Sequence, residues 1–165
     1  MTTIFPKSLT DIAEEALESC RGSGLMLAVA ESCTGGMVAA CLTSLAGSSA
    51  VVERGFVTYT NRSKQDMLGV SATTLLHQGA VSEPAVREMA LGALAHSRAD
   101  IVVAVSGIAG PTGGTAAKPV GLVWHAWCLR NGAPVTKVEQ YIGDRYEIRR
   151  QTVVAALKGL LELLS

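Results

Sequence analysis

The stretch Leu25-Met26-Leu27-Ala28-Val29-Ala30, followed by Glu31-Ser32-Cys33-Thr34-Gly35-Gly36, decides how this chain folds. The first six residues are apolar without interruption, which is typical of a short strand covered on both faces. The next six combine hydroxyls, a thiol and two glycines, and residues 37–45 then have apolar side chains at helical spacing. We therefore predict a strand, a tight corner and a helix, an arrangement at which α/β sheets bind ligands.

The polar corner is a candidate catalytic site. Glycines let the backbone approach a ligand, and the first amides of a helix are unpaired donors that favour a negative oxygen. Ser32 therefore lies where a nucleophile with an oxyanion site is expected, although Ser32 or Thr34 serving only as a helix N-cap is the alternative. Cys33 is intrinsically the better nucleophile. Because neighbouring side chains of an extended segment point in opposite directions, we expect Ser32 to face the pocket and Cys33 to be a buried packing thiol.

Outside this corner, helical and strand patterns alternate and end in a hairpin and a final helix. Asn131-Gly132 is a strong hairpin signal between the last two strands. Strands are predicted at 25–30, 51–60, 101–105, 120–129 and 135–142, and helices at 8–21, 37–45, 64–69, from Ser82 and from Asp144. The order predicts an α/β protein, a single three-layer domain over residues 1–165 with helices on both faces of a mixed, mostly parallel sheet that ends in a C-terminal β-hairpin.

Composition excludes several classes of partner. Fourteen basic and fourteen acidic residues cancel, and no basic run is longer than Arg149-Arg150, so nucleic acid is not expected as a partner. No apolar run reaches the roughly 18 to 20 residues of a membrane span. The acidic residues lack nearby histidines, so no metal is predicted. Four cysteines without a CxxC pair and an N-terminus without an export signal predict reduced thiols and a cytoplasmic protein.

A serine nucleophile needs a base, and Lys64 is the candidate of interest. His77 and His96 fall near helix ends, and His125 lies inside an apolar strand, where structural roles are expected. Lys64 follows a strand end close behind Tyr59. A lysine serves as a base only if burial or cations lower its pKa from about 10.4 toward neutrality. Tyr59 is then placed to hold or relay the proton, whereas the alternative is a surface lysine on a short helix.

Two further features suggest a phosphate site. The segment 106–115 is glycine-rich and therefore rich in accessible amides, but it matches neither the P-loop nor the dinucleotide fingerprint. An ordinary tight connection is the alternative. Arg145, at the start of the last helix, is suited to a bidentate phosphate contact, and the alternative is a pair with Glu147 or a solvated position.

Five motifs in order carry a resemblance to a known family over nearly the whole chain. They are Ala30-Glu31-Ser32-Cys33-Thr34-Gly35-Gly36, Gly55-Phe56-Val57-Thr58-Tyr59-Thr60-Asn61 with Lys64, Gly79-Ala80-Val81-Ser82-Glu83, Ser106-Gly107-Ile108-Ala109-Gly110-Pro111 through Gly113-Gly114 to Lys118-Pro119-Val120-Gly121, and Gly143-Asp144-Arg145. In these motifs the chain resembles the CinA C-terminal domain family, in its stand-alone form. Position 106 is serine where many members of the family carry threonine.

This resemblance implies nicotinamide-nucleotide amidohydrolase activity. The reaction converts nicotinamide mononucleotide to nicotinate mononucleotide and ammonia in pyridine nucleotide salvage, without a cofactor. The family's serine, lysine and tyrosine match Ser32, Lys64 and Tyr59. Together with the residue patterns, the resemblance also suggests a substrate-binding set: Thr34, Gly35, Gly36, Asn61, Ser106, Gly107, Gly110 and Arg145. We expect a homo-oligomer whose partner is this small nucleotide substrate.

Two other functions remain open from the sequence. The first is a nucleotide-binding or protein-interaction module without chemistry, linked to competence or DNA damage as the family name suggests. The second is an amidase for another small carboxamide.

Overall fold

The computed structural model of the protein describes residues 4–165, which alternate helices and strands before a C-terminal hairpin and helix. The elements are α1 (Lys7–Gly22), β1 (Leu27–Glu31), α2 (Met37–Thr43), a 3₁₀ turn (Ser48–Ala50), β2 (Val52–Val57), α3 (Asn61–Leu68), α4 (Ala72–His77), α5 (Glu83–Ala95), β3 (Ile101–Gly107), β4 (Leu122–Leu129), β5 (Val135–Gln140) and α6 (Arg145–Leu164). No helix within 4–165 has both the length and the apolar character needed to cross a bilayer.

The strands form one sheet in the order β2-β1-β3-β4-β5. β1 pairs in parallel with β2 and β3, whereas β3–β4 and β4–β5 are antiparallel. The predicted α/β class with a mixed sheet is confirmed. Parallel pairings make up half of the sheet and not most of it, because the hairpin contributes an antiparallel pairing on each side of β4.

The hairpin follows the Asn-Gly signal. Asn131 adopts a positive φ of 67°, and the Gly132 amide donates to the Leu129 carbonyl at 2.9 Å. A positive φ is the conformation for which asparagine and glycine are favoured in tight turns. The strand predicted to reach residue 142 stops at Gln140, and the strand predicted at 51–60 is the shorter Val52–Val57.

Helices cover both faces of the sheet, as predicted for three layers. One apolar cluster joins α1, α2 and α6 to side chains such as Val29 and Val103 on one face. On the other face, α3, α4 and α5 pack on Ala28, Ala30 and their neighbours. β1 is buried on both faces, which explains its uninterrupted apolar sequence. It is therefore a rigid support for the residue that follows it.

A close helix crossing holds α3 against α5. A Cβ atom at Gly92 of α5 would lie 1.8 Å from the carbonyl oxygen of Leu68, the last residue of α3. Only glycine permits this approach, since real atoms cannot come so near to a backbone oxygen. The crossing fixes α3, which carries Lys64.

The polar corner lies at one edge of the sheet. β1, β2 and β3 are parallel, so their carboxyl ends meet there, and α6 begins at the same edge. β2 lies on one side of β1 and β3 on the other, which makes the end of β1 a topological switch point. Such a point is the usual place for a ligand crevice in an open α/β sheet.

Candidate active site

Ser32 is the first residue after β1 and is held by its backbone. Its amide donates to the Val105 carbonyl of β3 at 3.1 Å, and its own carbonyl accepts from the Gly35 amide at 3.0 Å. The residue is 8% exposed. The Ser32 backbone is thus fixed at the end of β1 beside β3, and the residue lines a pocket.

Lys64 reaches Ser32 from the middle of α3. This helix begins with a reciprocal capping box between Thr60 and Ser63, and Lys64 lies on its inner face with 1% exposure. The Lys64 Nζ atom is 2.9 Å from Ser32 Oγ and 2.7 Å from the Thr58 carbonyl oxygen. Lys64 is therefore a buried partner of the serine, and the alternative of a surface lysine is wrong.

The surroundings of Lys64 make its neutral amine easier to form than in water. Burial lowers the pKa of Lys64 to about 8, against a small opposing effect of Cys33. About a tenth of the molecules then carry the free base at pH 7. A neutral amine has two N–H bonds and one lone pair, so donation to the Thr58 carbonyl leaves the lone pair available to accept the Ser32 proton. The pair has the form of a nucleophile and its general base.

Cys33 is a packing residue. Its side chain is 5% exposed and belongs to a small apolar cluster with Ala109, Val123 and Ile148. Burial raises the pKa of the Cys33 thiol to about 12, which suppresses the reactive thiolate at neutral pH. Of the two adjacent candidates, Ser32 is the one in contact with the lysine.

The sequence predicted that the amides at the start of α2, around Thr34, Gly35 and Gly36, are free to bind a ligand, and the structure differs. The Glu31 carboxylate accepts hydrogen bonds from the Thr34 hydroxyl at 2.6 Å and from the amides of Gly36, Val38 and Ala39 at 3.1, 3.0 and 2.8 Å. The Gly35 amide bonds to Ser32. These donors already have partners, because a side chain of the protein occupies the place that an oxyanion was expected to take.

The histidines lie elsewhere. None of them lines the pocket around Ser32 in the described part of the chain. His125 is fully buried, stacks on Trp127 and lies 3.4 Å from the Tyr141 hydroxyl, and burial lowers its pKa to about 4. His96 bonds to the Gly92 carbonyl through Nδ1 at 2.8 Å. The lysine is consequently the base within reach of Ser32.

The pocket itself has a volume of about 280 Å³ and opens to solvent at one side. It is lined by Ser32, Cys33, Tyr59, Asn61, Lys64, Ala80, Val81, Ser106, Gly107, Ile108, Ala109, Gly110, Thr112, Gly113 and Arg145. The charged residues of this lining are Lys64 and Arg145, so the cavity is electropositive and suited to an anionic ligand.

Arg145 and Tyr59 form the outer wall together. The Arg145 guanidinium donates to the Gly110 carbonyl at 2.7 Å and to the Tyr59 hydroxyl at 2.6 Å. Tyr59 is 56% exposed. Within residues 4–165 the hydrogen-bond partner of the Tyr59 hydroxyl is therefore Arg145 and not Lys64, so the predicted proton relay is absent from this structure. The alternative pair of Arg145 with Glu147 is absent from the described residues, because Glu147 pairs with Arg150.

The remaining predicted binding residues line the pocket by different means. Ser106 is fully buried and donates its hydroxyl proton to the Ala80 carbonyl at 2.7 Å, which leaves its oxygen lone pairs for a ligand donor. A Cβ at Gly107 would come 2.5 Å from a methyl of Val123, so this position needs glycine beside β4. Asn61 is the first residue of α3, at the rim.

Sequence reasoning missed four contributors. The turn at Ala80 and Val81 forms one wall, Thr58 orients the lysine through its carbonyl, and Arg149 donates to the Thr34 carbonyl at 2.7 Å. Glu31, which the sequence analysis gave no role, organises the nucleophile turn. A carboxylate at position 31 and a threonine three residues later, at position 34, were the available signals for this last role.

A groove of about 300 Å³ between β5 and α6 is another cavity of similar size. It contains Lys137 and Glu139, which pair with each other at 2.7 Å, and it lacks a nucleophile next to a base. No cluster of potential metal ligands exists among the described residues. The Ser32 pocket is therefore the candidate active site.

Comparison with known proteins shows the family of the chain. The model of the CinA C-terminal domain matches residues 9–164. Over 152 residues the chain is 50% identical to the nicotinamide-nucleotide amidohydrolase PncC of Escherichia coli K12, covering 92% of each protein. A PncC of Pseudomonas putida is 48% identical over 94% of this chain and 96% of its own length.

A solved structure is equally similar. The competence/damage inducible protein CihA from Agrobacterium tumefaciens superposes with a TM-score of 0.97 at 50% identity, over 99% of this chain and 100% of that one. The family model and these relatives show that the chain belongs to the CinA C-terminal domain family.

Proposed function

We propose that this protein is a nicotinamide-nucleotide amidohydrolase that hydrolyses nicotinamide mononucleotide with Ser32 as nucleophile and Lys64 as general base. The relatives named PncC support the reaction class. The contact of 2.9 Å between Lys64 Nζ and Ser32 Oγ, inside an electropositive pocket, carries the assignment of roles. A cytoplasmic location, a homo-oligomeric state and a role in nucleotide salvage are parts of the same proposal.

The reaction begins with acyl transfer. The Lys64 lone pair accepts the Ser32 hydroxyl proton as Oγ bonds to the carboxamide carbon, and the carbonyl oxygen becomes an oxyanion. Cys33 follows the nucleophile and lines the pocket, and within residues 4–165 its amide contacts its own thiol and no protein oxygen. We assign it as an oxyanion donor, a role typically worth about 3 kcal/mol.

The second half releases both products. The Lys64 ammonium returns its proton to the amide nitrogen as the C–N bond breaks, so ammonia leaves and a Ser32 ester remains. Water then attacks this ester while Lys64 again accepts a proton, and the proton returns to Ser32 Oγ as the ester bond breaks. Nicotinate mononucleotide is released as the carboxylic acid and loses its remaining proton to solvent, where the ammonia takes one up, and no cofactor or metal is required in these steps.

The substrate's phosphate belongs at the outer wall. Of the two charged residues that line the pocket, Lys64 is the proposed base, and Arg145 takes no part in the proton transfers. The planar guanidinium of Arg145 suits phosphate oxygens. The adjacent 106–113 loop adds backbone amides and little side-chain bulk. The nicotinamide ring then points inward to Ser32, and the Ser106 oxygen accepts a hydrogen bond from the carboxamide nitrogen.

Ammonia release by purified enzyme tests this proposal. We expect Ser32→Ala and Lys64→Ala to lose at least about a thousandfold in kcat/KM with nicotinamide mononucleotide. Lys158→Ala, on the exposed side of α6, is the matched control and should retain wild-type activity. Near-wild-type turnover by either site variant would contradict the assigned roles.

Two measurements separate the alternatives. Calorimetry that shows binding of the mononucleotide without turnover by the wild type would favour a module without chemistry. A panel of nicotinamide, nicotinamide riboside and nicotinamide mononucleotide tests whether the phosphate matters. A preference for a carboxamide that lacks phosphate would indicate a different amidase.

A further inference from the structure

Glu31 is an unusual residue to bury at this corner. Its side chain is 1% exposed, and no ion pair to it exists among the described residues. A buried carboxylate without a cationic partner is costly unless other groups stabilise it. Here the Thr34 hydroxyl and three backbone amides, those of Gly36 and of Val38 and Ala39 in α2, take that role, all within 3.1 Å. Hydrogen bonds to an ionised acceptor are roughly twice as strong as neutral ones.

These bonds close the nucleophile turn on itself. Glu31 is the last residue of β1, Ser32 comes next, and the turn of residues 32–36 leads into α2. The carboxylate of Glu31 thus ties the far side of the turn back to the strand that precedes it. Arg149 holds the same turn from the opposite side through the Thr34 carbonyl. Ser32 is consequently fixed at both ends.

The main chain of Glu31 positions the base as well. Its carbonyl oxygen accepts from the Thr58 amide at 2.8 Å, and the Thr58 carbonyl binds Lys64 Nζ. One residue of the central strand therefore contacts both sides of the pair: Glu31 precedes the nucleophile in the chain, and through Thr58 it supports the base. Only the side chain of Glu31 can be altered by substitution, and its contacts lie on the serine side of the pair.

We propose that Glu31 is a positioning residue whose carboxylate holds the 32–36 turn so that Ser32 Oγ stays in hydrogen-bond range of Lys64. This inference rests on the proposed function of Ser32 as nucleophile. Glu31 itself touches neither the substrate pocket nor Lys64 in the described structure.

Glu31→Gln is the most direct perturbation because it preserves shape and removes acceptor capacity. In the glutamine variant an NH₂ group replaces one of the two carboxylate oxygens. This group cannot accept a hydrogen bond from the backbone amides, so at least one bond to the start of α2 is lost. A displacement of about 1 Å in a reacting group can cost about 100-fold in rate. We expect kcat to fall between tenfold and a hundredfold. KM for nicotinamide mononucleotide should change less than threefold, since the binding groups lie on other elements.

A second readout distinguishes positioning from simple loss of folded protein. A fluorophosphonate probe labels an activated serine without needing the amide substrate, and mass spectrometry follows the adduct on Ser32. For Glu31→Gln we expect a labelling rate at least tenfold lower with a final stoichiometry near one per chain. Purely structural damage would lower the final stoichiometry and leave the rate unchanged, and that result would overturn the proposal.

Two more variants complete the experiment. Glu83→Gln makes the same change at the first turn of α5, away from the pocket, and should label at the wild-type rate. If Glu31→Gln does not fold, Thr34→Val removes one of the four donors, and a folded Thr34→Val that labels at the wild-type rate would contradict the inference. Failure of the wild type to release ammonia would instead reject the proposed function, while the labelling comparison still decides the role of Glu31.

Discussion

Replacing Lys64 by methionine should abolish activity and yet make the protein more stable at neutral pH. Methionine has a similar length and no charge. In the wild type the amine is 1% exposed, and burial lowers its pKa from 10.5 to about 8. The unfolded chain therefore binds a proton more tightly than the folded protein does, and this difference opposes folding at pH 7.

The magnitude follows from the shift. At about 1.4 kcal/mol per pKa unit, the lowered pKa of Lys64 costs about 3 kcal/mol of unfolding free energy at pH 7. Lys64→Met also removes the two hydrogen bonds of Nζ, and each lost bond lowers the unfolding free energy by about 1 kcal/mol. The net expectation for Lys64→Met is a gain of about 1 kcal/mol, or roughly 2 to 4 °C in Tm for a protein of this size.

The pH dependence of the unfolding free energy is the sharper test. The hydrogen bonds that Lys64→Met loses change this free energy equally at every pH, so they do not affect the slope. Between the folded value near 8 and the unfolded value near 10.5, the wild type gains stability as the pH rises, since the unfolded state must release its proton. From pH 7 to pH 10 the wild type should gain about 2 to 3 kcal/mol relative to Lys64→Met. Urea unfolding at several pH values measures this difference.

The control for that slope is Lys158→Met, which removes an exposed lysine and should follow the wild type at every pH. A Lys64→Met variant less stable than the wild type by the same amount at pH 7 and pH 10 would refute the reasoning. Burial would then not lower the pKa of Lys64, and its amine would be too rarely neutral to be an effective base.

Three other predictions concern the rate, the binding wall and the helix crossing. Because only the neutral amine of Lys64 accepts a proton, kcat/KM should rise about tenfold per pH unit below its pKa of about 8 and level off above it; a flat profile from pH 6 to 8 would contradict the lysine base. Arg145→Lys should raise KM for nicotinamide mononucleotide roughly tenfold in steady-state kinetics, while Tyr59→Phe, which loses only a contact to Arg145, should change KM less than about threefold; a large fall in kcat for Tyr59→Phe would instead support the proton relay. Gly92→Ala should lose at least about 2 kcal/mol in urea unfolding despite the better helix propensity of alanine, because its Cβ would meet the Leu68 carbonyl, whereas Gly22→Ala has no atom within 4 Å and should be nearly neutral.

The features that the sequence predicted best depend on local patterns. The buried run before Ser32, the Asn131-Gly132 turn and the Asp144 cap of the last helix each encode their structure within a few residues, and each was found where expected. The resemblance to the family added the order of the five motifs. Local patterns do not encode which strands become neighbours, so the balance of parallel and antiparallel pairs was not predictable in the same way.

The geometry of the site depends on contacts between distant segments. The sequence nominated Ser32 and Lys64, but their contact arises because β1 and β2 are adjacent and α3 crosses α5 at a glycine. The contact between Tyr59 and Arg145 likewise joins residues that are far apart in the sequence. Glu31 escaped notice because its partners are mostly backbone amides, and a sequence does not reveal which amides a carboxylate will face.

The two buried ionisable groups of this corner indicate how the pocket keeps its base. A carboxylate next to Lys64 would stabilise the ammonium and raise its pKa, which would leave little free base at pH 7. The Glu31 side chain is adjacent in sequence to the nucleophile, yet it is directed to the amides of α2. Among the described residues, the polar partners of Lys64 are a hydroxyl and a carbonyl, which favour its charged form less than a carboxylate would. The α2 amides that were expected to bind the oxyanion thus have another use, because they hold a negative charge away from the lysine while they fix the serine beside it.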